Sequence, residues 1–535
     1  MPLDFQPLRP SSVPQFPGLS RRSLLRVGLG GAGLLLLNGV PGLGLGTASA
    51  APESASSTTV APYLYPSIDG VKFTALLTVR DMKAANGYAL VGIPDGLGII
   101  PGTDTFTLVM AHELASAVGV PRSHGSKGAF VSKWTIDKKT LRVLEGADLT
   151  GSASKVFTWN PATQRYDAGT VAWNRFCSAD LPQPSAFLNG TKGTTTRIFM
   201  VGEETNGGKA WAHLVTGPNA GEAWHLPRMG SAGFENLVAS PFSKDRTIVI
   251  GLDDGSINTA PVAENYPCEL FVYIGTKQET GSDIERAGLT MGKLHAVRLL
   301  AADGRKYITE EKNDTAFGET SYVPSARFEL AQLGTNGDVE YLSPLELEQE
   351  CIAKSVLRMM RTEDGAWDPR PANHNDFYFV TTGSPTHKSR LWRLRFDDLD
   401  APEKGGTLTA LLNGDEGQFM LDNITIDSLG RILMQEDPGN QAHLAKVWLY
   451  GIDSKVLVQI AFHDRAFFDL SLSVPKYFQT QDEESSGIID ASSVLGEGWF
   501  LLDVQSHRAI SATDPALVED GQLLAMYVAP QIGLK

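Results

Sequence analysis

Short apolar runs separated by turn residues dominate the chain after residue 50. Runs of five or six residues rich in Val, Ile, Phe, Tyr and Trp recur between Gly, Pro, Asn and Asp. Such runs are typical of β-strands, whereas the longer amphipathic stretches that indicate helices are scarce. We therefore predict strands at 105–110, 129–134, 197–201, 247–252, 269–274, 376–381, 431–435, 446–450 and 498–503.

The spacing of these strands favours a propeller over a sandwich. Hairpins whose second strand carries an aromatic residue and leads into an Asp turn occur at 389–398 and 446–453. Hairpins recurring every ~40 to 60 residues are typical of propeller blades, which bury their faces only against their neighbours. We predict one all-β domain over 51–535, a β-propeller of about six blades. The segments 306–343 and 345–360 break the rhythm, and we expect insertions there, the second one helical.

Residues 1–50 have the pattern of a twin-arginine export signal. Arg21 and Arg22 precede a Gly/Leu/Ala run over 27–45, and Ala48-Ser49-Ala50 follows it. This order of charged, apolar and small residues is that of a cleavable leader. Glycines make the run a weak membrane span, so cleavage is expected, with an uncleaved anchor as the alternative. We expect a periplasmic or extracellular protein with no stable membrane span after cleavage.

The charge balance excludes one class of partner. The chain carries 46 basic and 61 acidic residues, a net charge of −15. The first 50 residues hold four Arg and one Asp, so residues 51–535 carry −18. Nucleic acid is excluded as a partner because a phosphate backbone requires a basic face. Acidity by itself indicates either cation binding or mere solubility. We expect a monomer.

The cysteines do not indicate a disulfide or zinc scaffold for the fold. The three cysteines, Cys177, Cys268 and Cys351, are odd in number and widely spaced. Neither a zinc knuckle nor a disulfide framework has that pattern. The fold must therefore be held by its core.

Pairs of acids, or of an acid and an amide, recur at strand starts and strand ends. Calcium takes six to eight oxygen ligands of this kind. In a propeller the innermost strand begins near the axis, so such residues from several blades can converge on the central channel. One pair alone is more typical of a turn or an Asx cap, but the recurrence favours metal binding. The pairs are Glu203-Glu204, Glu235-Asn236, Asp253-Asp254, Glu363-Asp364, Asp422-Asn423 and Glu436-Asp437.

The same segments resemble a known family. Arg197-Ile-Phe-Met-Val-Gly-Glu203-Glu204, Gly233-Phe-Glu235-Asn236, Arg361-Thr-Glu363-Asp364-Gly365 and Asp422-Asn423 with Asp427-x-x-Gly430-Arg431, together with the twin-arginine leader, are similar to motifs of the secreted alkaline phosphatase PhoX family, formerly a bacterial domain of unknown function. The resemblance spans most of the chain in short, degenerate motifs. It implies a six-bladed propeller that hydrolyses phosphomonoesters with calcium and iron in its channel. The metal ligands it implies are Glu203, Glu204, Glu235, Asn236, Glu363, Asp422 and Asn423.

Two positions depart from the family motifs. Gly202 stands where the family has an iron-ligating Cys before the paired Glu, and Phe234 stands where the family has His before Glu235. The chain therefore resembles a divergent branch, and iron is the less secure of the two metals. Cys177 could supply the thiol only if its loop reaches the channel. A structural buried thiol is the favoured alternative, because free Cys is commonly a small core residue.

Arg361 is the candidate catalytic residue. It lies two residues before Glu363, and a planar guanidinium can bind a phosphoryl group through two parallel hydrogen bonds. Arg286 is a second candidate, and an ordinary ion pair is the alternative for each. His112 and His124 could bind metal or transfer protons but are more typical of structural residues. The acidic run at 482–490 is either another calcium ligand source or a plain turn.

Three hypotheses for function follow. The first is a metal-dependent phosphoric monoester hydrolase that acts on a small-molecule phosphoester. The second is a non-catalytic calcium-binding propeller at the cell surface, and the third is a calcium-dependent propeller lactonase, since Asp422-Asn423 with Asp427-x-x-Gly430-Arg431 also occurs in that kind of blade. No glycine-rich phosphate loop or Gly-x-Ser-x-Gly elbow is present, so nucleotide binding and serine hydrolysis have no support. The three hypotheses predict different bound metals for the protein.

Overall fold

The computed structural model describes residues 57–255, 268–300, 309–310, 325–472 and 479–535, and the backbone of 306–307. The predicted export signal at 1–50 lies outside the described residues, as do residues 308 and 311–324 of the first predicted insertion. Each of the nine predicted strands overlaps a strand of the structure, and those predicted from 129, 197, 269 and 498 begin one residue later. The second predicted insertion contains the helix Pro344–Ala353, and the prediction of an all-β domain is confirmed.

The strands follow one another in antiparallel meanders, which we number one to six along the chain. Meander one holds Pro94–Pro101, Thr105–His112, Phe130–Asp137 and Val143–Asp148; meander two holds Phe176–Asp180, Ile198–Glu203, Ala210–Leu214 and Ala223–His225, with Val156–Asn160 and Arg165–Ala168 at its outer edge. Meander three holds Gly233–Ala239, Arg246–Gly255, Leu270–Thr276 and Lys293–Leu300, which also pairs with Lys306–Tyr307; meander four holds Thr362–Trp367, Asp376–Thr381, Arg390–Phe396 and Gly406–Leu412. Ser325–Gln332 pairs with the last strands of both and joins them into one sheet. Meander five holds Leu421–Ile426, Arg431–Glu436, Lys446–Gly451 and Leu457–His463; meander six holds Glu484–Asp490, Trp499–Ala509 and Glu519–Val528.

Short elements complete the described chain. The other α-helices are single turns at Asp283–Arg286, Arg465–Phe468 and Ser492–Leu495. Short 3-10 turns occur at Ala153–Lys155, Pro184–Ala186, Pro227–Met229, Pro371–Asn373 and Pro402–Lys404, and Leu188–Asn189 pairs with Lys192–Gly193. Within the described residues, no helix has both the length and the apolar character needed to cross a bilayer.

The first strand of each meander, which we call its inner strand, lies at a sheet edge. Each inner strand contacts the inner strands of the preceding and following meanders, and the sixth contacts the first. The inner strands therefore form a closed circuit. Such a circuit of sheet edges is a property of propeller-like folds.

Strands from the start of the described chain complete the last two sheets. Val71–Thr78 pairs antiparallel with Glu519–Val528, and Leu64–Pro66 pairs antiparallel with Leu457–His463. The side-chain oxygen of Gln522 also accepts a hydrogen bond from the backbone N–H of Tyr63 at 2.7 Å. Backbone hydrogen bonds therefore link the first described strands to the sheets of meanders five and six.

The hydrophobic core lies between meanders rather than at the centre of the circuit. One buried cluster joins Leu108 and Trp134 of meander one to Leu501 of meander six, and further clusters join each consecutive pair along the chain. Burying a large apolar side chain contributes about 1.5–3 kcal/mol. The packing that stabilises the fold therefore leaves the inner strands free to carry polar residues.

Candidate metal centre

Every inner strand carries an acid or a thiol near its start. Asp95, Cys177, Glu363 and Asp422 are the second residues of their strands, Glu235 is a third residue and Glu484 a first. All six are buried, from 1% exposed at Asp95 to 9% at Asp422. Because the inner strands contact one another in a circuit, these side chains converge from all six meanders.

The ends of neighbouring strands supply further acids. Glu113, Glu204 and Asp437 each follow the second strand of a meander directly, and Asp254 lies near the end of another second strand. In an antiparallel hairpin the end of the second strand lies beside the start of the first. The repeated hairpin therefore brings both sets of acids to the same end of the circuit.

The described residues contain four groups of three acids or thiols that could hold a metal ion. Within each group, the potential ligand atoms lie within 4.8 Å of one another. Consecutive groups share Cys177, Glu235 and Asp422, so the four form one continuous cluster, which we call the acid ring. The groups are Asp95, Glu113 and Cys177; Cys177, Glu204 and Glu235; Glu235, Glu363 and Asp422; and Asp422, Asp437 and Glu484.

Four of the seven predicted metal ligands belong to the acid ring: Glu204, Glu235, Glu363 and Asp422. The other three do not. Glu203 precedes Glu204, and alternate residues of a strand point to opposite faces. Its carboxylate accepts hydrogen bonds from the backbone N–H of Asn174 at 3.0 Å and from Trp211 Nε1 at 3.4 Å. Glu203 therefore holds meander two together.

The two predicted amide ligands lie just beyond the ring. Asn236 donates hydrogen bonds from Nδ2 to Ser178 Oγ at 3.1 Å and to Asp364 Oδ1 at 2.5 Å. Asn423 is buried one residue past Asp422 and belongs to none of the four groups. As metal ligands, both remain predictions.

The sequence favours a structural role in the core for the Cys177 thiol, but the surroundings of its sulfur are polar. The residue is buried, but its sulfur lies among carboxylates and donates a hydrogen bond to Asp95 Oδ2 at 3.5 Å. A Cβ on Gly96 would lie 2.1 Å from the backbone nitrogen of Ala179, so the first two inner strands approach closely only because residue 96 is glycine. That approach brings Asp95 to Cys177.

Gly202 cannot be replaced by the Cys of the family motif without a rearrangement. A Cβ at this position would lie 2.4 Å from the Cβ of Phe234 and 2.6 Å from its carbonyl oxygen. Both distances are below van der Waals contact. Cys177, on the adjacent inner strand, is the thiol that the acid ring contains.

Asp95 is not among the residues that the sequence predicts for the site, and Cys177 is among them only on the condition that its loop reaches the channel. The strands that carry them, Pro94–Pro101 and Phe176–Asp180, were not among the predicted ones because their apolar runs are short. The available signal was position: each residue stands second in its inner strand, as Glu363 and Asp422 do.

Two arginines contact the acid ring from its partly exposed side. Arg361 Nη2 lies 2.7 Å from Asp254 Oδ2 and 3.0 Å from Glu363 Oε1. Arg175 Nη2 lies 2.6 Å from Glu113 Oε1, and this guanidinium also pairs with Glu204. The two side chains are 25% and 44% exposed.

Both arginines have left-handed backbone conformations, with φ of +67° at Arg361 and +49° at Arg175. This region is uncommon for residues other than glycine and concentrates at functional sites. The predicted Arg361 therefore lies at the acid ring, and Arg175 is an addition that the sequence did not indicate.

The other candidate residues lie elsewhere. Arg286 pairs with Asp283 of its own helical turn at 2.7 Å. His112 is buried with Nε2 2.9 Å from Ser132 Oγ, and His124 packs against Trp173 with 4.4 Å between ring centroids. From the acidic run at 482–490, only Glu484 belongs to the acid ring.

Burial and mutual repulsion govern the ionisation of the ring. Burial raises the pKa of Glu204 to about 8, with the Glu113 carboxylate adding to the effect and Arg175 opposing it. Burial and neighbouring carboxylates raise the pKa values of Asp95, Glu235, Glu363 and Asp422 well above the usual range. A cation among these groups would favour their charged forms.

Comparison with known proteins bears on the fold. No protein-family model and no curated protein matches the sequence. Among solved structures, the chain is similar to Pseudomonas fluorescens PhoX in complex with vanadate, a transition state analogue, with a TM-score of 0.60, 12% identity, and coverage of 90% of this chain and 98% of that one. A neuraminidase-like protein of subtype N10 from a little yellow-shouldered bat influenza A virus has a TM-score of 0.34 at 8% identity, covering 87% and 98% of the two chains. The aldose sugar dehydrogenase of Streptomyces coelicolor has a TM-score of 0.31 at 11% identity, covering 86% of this chain and 100% of that one. Only the first supports an argument, and it establishes a PhoX-like, propeller-like β fold.

Proposed function

We propose that this protein is an exported, metal-dependent phosphoric monoester hydrolase, built as a six-bladed propeller in which each meander is one blade. The observation that carries the proposal is the acid ring, in which six inner strands each contribute an acid or a thiol to one buried cluster. The fold resembles that of PhoX, a protein solved with a transition state analogue, vanadate.

The donor atoms of the ring suit two kinds of metal. Carboxylate oxygens from Glu363, Asp422 and Glu484 are ligands that calcium prefers. A thiolate is a soft ligand that calcium does not use, and with Glu204 and Glu235 it suits a redox-active metal such as iron. The ring therefore fits calcium at one side and iron beside Cys177.

Clustered cations would polarise phosphoryl oxygens and activate the attacking oxygen. The residues of the chain supply the remaining interactions. Arg361 and Arg175 each present a partly exposed guanidinium at the ring, which can donate paired hydrogen bonds to phosphoryl oxygens. Their present carboxylate partners hold both side chains in position. Thr382 orients Glu363 by donating a hydrogen bond to its Oε1 at 2.7 Å.

Glu484, which belongs to the last group of the acid ring, is held in position by a neighbouring histidine. His507 lies with Nε2 3.5 Å from Glu484 Oε2 and Nδ1 3.1 Å from Glu519 Oε1. Although burial lowers the pKa of His507, hydrogen bonds with these two carboxylates raise it well above its usual value. A protonated imidazole would hold the Glu484 side chain in position through this contact.

The deciding experiment measures metal content and turnover on the same sample. Protein purified through its own export route is analysed by plasma mass spectrometry, and p-nitrophenyl phosphate hydrolysis is measured with and without chelator. Iron with calcium and chelator-sensitive turnover support the proposal. Calcium alone without turnover overturns it in favour of a binding propeller, and calcium-dependent lactone hydrolysis without phosphatase activity favours a lactonase.

A further inference from the structure

A cavity lies further along the same six inner strands, beyond the acid ring. It has a volume of about 310 Å³ and is lined by residues from all six inner strands. One apolar residue from each is Leu97, Ala179, Val238, Ala366, Ile424 and Ile488. We call this cavity the distal pocket. Its volume is at the lower end of the ~300–1,000 Å³ range of small-molecule sites.

A polar layer separates the distal pocket from the acid ring. Asn236 Nδ2 donates hydrogen bonds to Ser178 Oγ and to Asp364 Oδ1. Asp364 also accepts hydrogen bonds from the backbone N–H of Gly365 at 2.6 Å and of Ile424 at 3.1 Å. Asn236 and Asp364 also line the distal pocket, whereas none of the ring residues does, so the pocket is a site distinct from the ring.

Three carboxyls line the distal pocket, those of Asp180, Asp364 and Asp490. Asp490 accepts hydrogen bonds from the backbone N–H and the hydroxyl of Ser492 at 2.8 and 2.9 Å, so Asp180 is the available one. One of its oxygens accepts a hydrogen bond from the backbone N–H of Ala239 at 3.2 Å, and among the described residues it forms no ion pair. Arg197 also lines the pocket, but its Nη2 donates hydrogen bonds to the carbonyls of Leu181 at 3.3 Å and Pro182 at 2.8 Å. Burial raises the pKa of Asp180 to about 7, with Asp364 adding to the shift and Arg197 opposing it.

We propose that the distal pocket binds a small organic ammonium ion that carries an apolar group, with Asp180 as its counter-ion. The apolar walls suit a hydrocarbon or aromatic group. The one available carboxyl suits one cationic group, because a calcium ion would require six to eight oxygen ligands. An anion is disfavoured by the three carboxyls, Asp180, Asp364 and Asp490, that line the pocket.

The test uses calorimetric titration of the metal-loaded mature protein at pH 7.5 with three ligands of similar size. The probe is 2-phenylethylammonium, and the controls are neutral 2-phenylethanol and anionic 3-phenylpropanoate. We expect saturable one-to-one binding of the ammonium ion and at least about tenfold weaker binding of the alcohol, since a hydrogen bond to a charged group contributes ~1.5–3 kcal/mol. The phenylpropanoate should not bind.

Two variants locate the site. Asp180→Asn should weaken ammonium binding by at least about tenfold, whereas Asp415→Asn, which changes an acid whose side chain is 63% exposed, should leave it unchanged. Ala366→Leu should weaken binding of both the ammonium ion and the alcohol by filling the cavity. Circular dichroism shows whether each variant is folded.

Several results would overturn the proposal: no saturable binding of the ammonium ion, equal affinity for the alcohol, or unchanged affinity in Asp180→Asn. Saturable binding of added calcium that Asp180→Asn weakens, without any binding of the ammonium ion, would assign the pocket to a metal instead. The comparison of the three ligands uses the unsubstituted protein, so it stands even if a variant fails to fold. The test does not depend on phosphatase activity, and its outcome is independent of the proposed function.

Discussion

The Cys177 thiol donates a hydrogen bond to Asp95 Oδ2 over 3.5 Å, across the interface between the first two inner strands. These residues are separated by 82 positions in the chain. Their contact unites the first two groups of the acid ring around one sulfur atom. It also makes Cys177 the residue on which the proposed iron depends.

Cys177→Ser should remove iron and leave most of the calcium. A hydroxyl is a harder and much weaker ligand than a thiolate for a redox-active metal. Phosphatase activity should fall by at least about 10- to 100-fold, the range that loss of supporting ligand interactions produces. Plasma mass spectrometry and p-nitrophenyl phosphate turnover measure both effects.

Cys351→Ser is the matched control for that substitution. Cys351 is also a buried thiol, 1% exposed, but lies in the helix Pro344–Ala353 outside the ring. Its substitution should leave the iron content unchanged. Equal iron in both variants and in the parent would show that Cys177 is not a ligand.

Arg361→Gln should lower kcat/KM for phosphomonoesters by about 100- to 1,000-fold, the typical loss when one donor to a developing oxyanion is removed. Arg327→Gln, which breaks an exposed ion pair with Asp397, should have little effect. Steady-state kinetics at several substrate concentrations give the result. An unchanged kcat/KM in Arg361→Gln would exclude Arg361 from phosphate binding.

Gly202→Ala should destabilise the protein by about 1–3 kcal/mol, as overpacking of a tight core does. Its added Cβ would lie 2.4 Å from the Cβ of Phe234. Gly169→Ala, where a Cβ meets nothing within 4 Å, should change the free energy of unfolding by less than about 0.5 kcal/mol. Urea unfolding compares the two, and similar values would contradict the close packing at Gly202.

Chelator-treated protein should become less stable as the pH rises from about 4.5 to about 8. The pKa of Glu204 is raised from 4.5 to about 8 by burial and by Glu113. A carboxyl with a raised pKa binds more protons in the folded state than in the unfolded state, so the free energy of unfolding falls as the pH increases. Urea unfolding at pH 5.5, 6.5, 7.5 and 8.5 measures this slope.

Calcium is the control for the pH series. Added calcium should reduce or reverse the slope, because a bound cation favours the charged carboxylates. Stability that rises with pH in the chelated protein would contradict the ionisation described for the ring.

The sequence by itself determined nine of the strands, the all-β class and the recurrence of acids at strand ends. These are local properties: apolar runs between turn residues indicate strands, and Glu363 and Asp422 can be recognised from their position at a strand start. Such signals point to four of the ring residues, Glu204, Glu235, Glu363 and Asp422, whereas the PhoX-like fold is predicted by the resemblance of short motifs to that family.

Tertiary structure alone decided which acids meet. Whether Glu203 or Glu204 faces the ring depends on the register of a strand that has an irregularity between Val201 and Glu203, and a shift of one residue reverses the side chains. The contact of Cys177 with Asp95 depends on two inner strands that approach at Gly96, far apart in sequence. Such contacts form only when the circuit of inner strands closes, and no local pattern in the sequence records them.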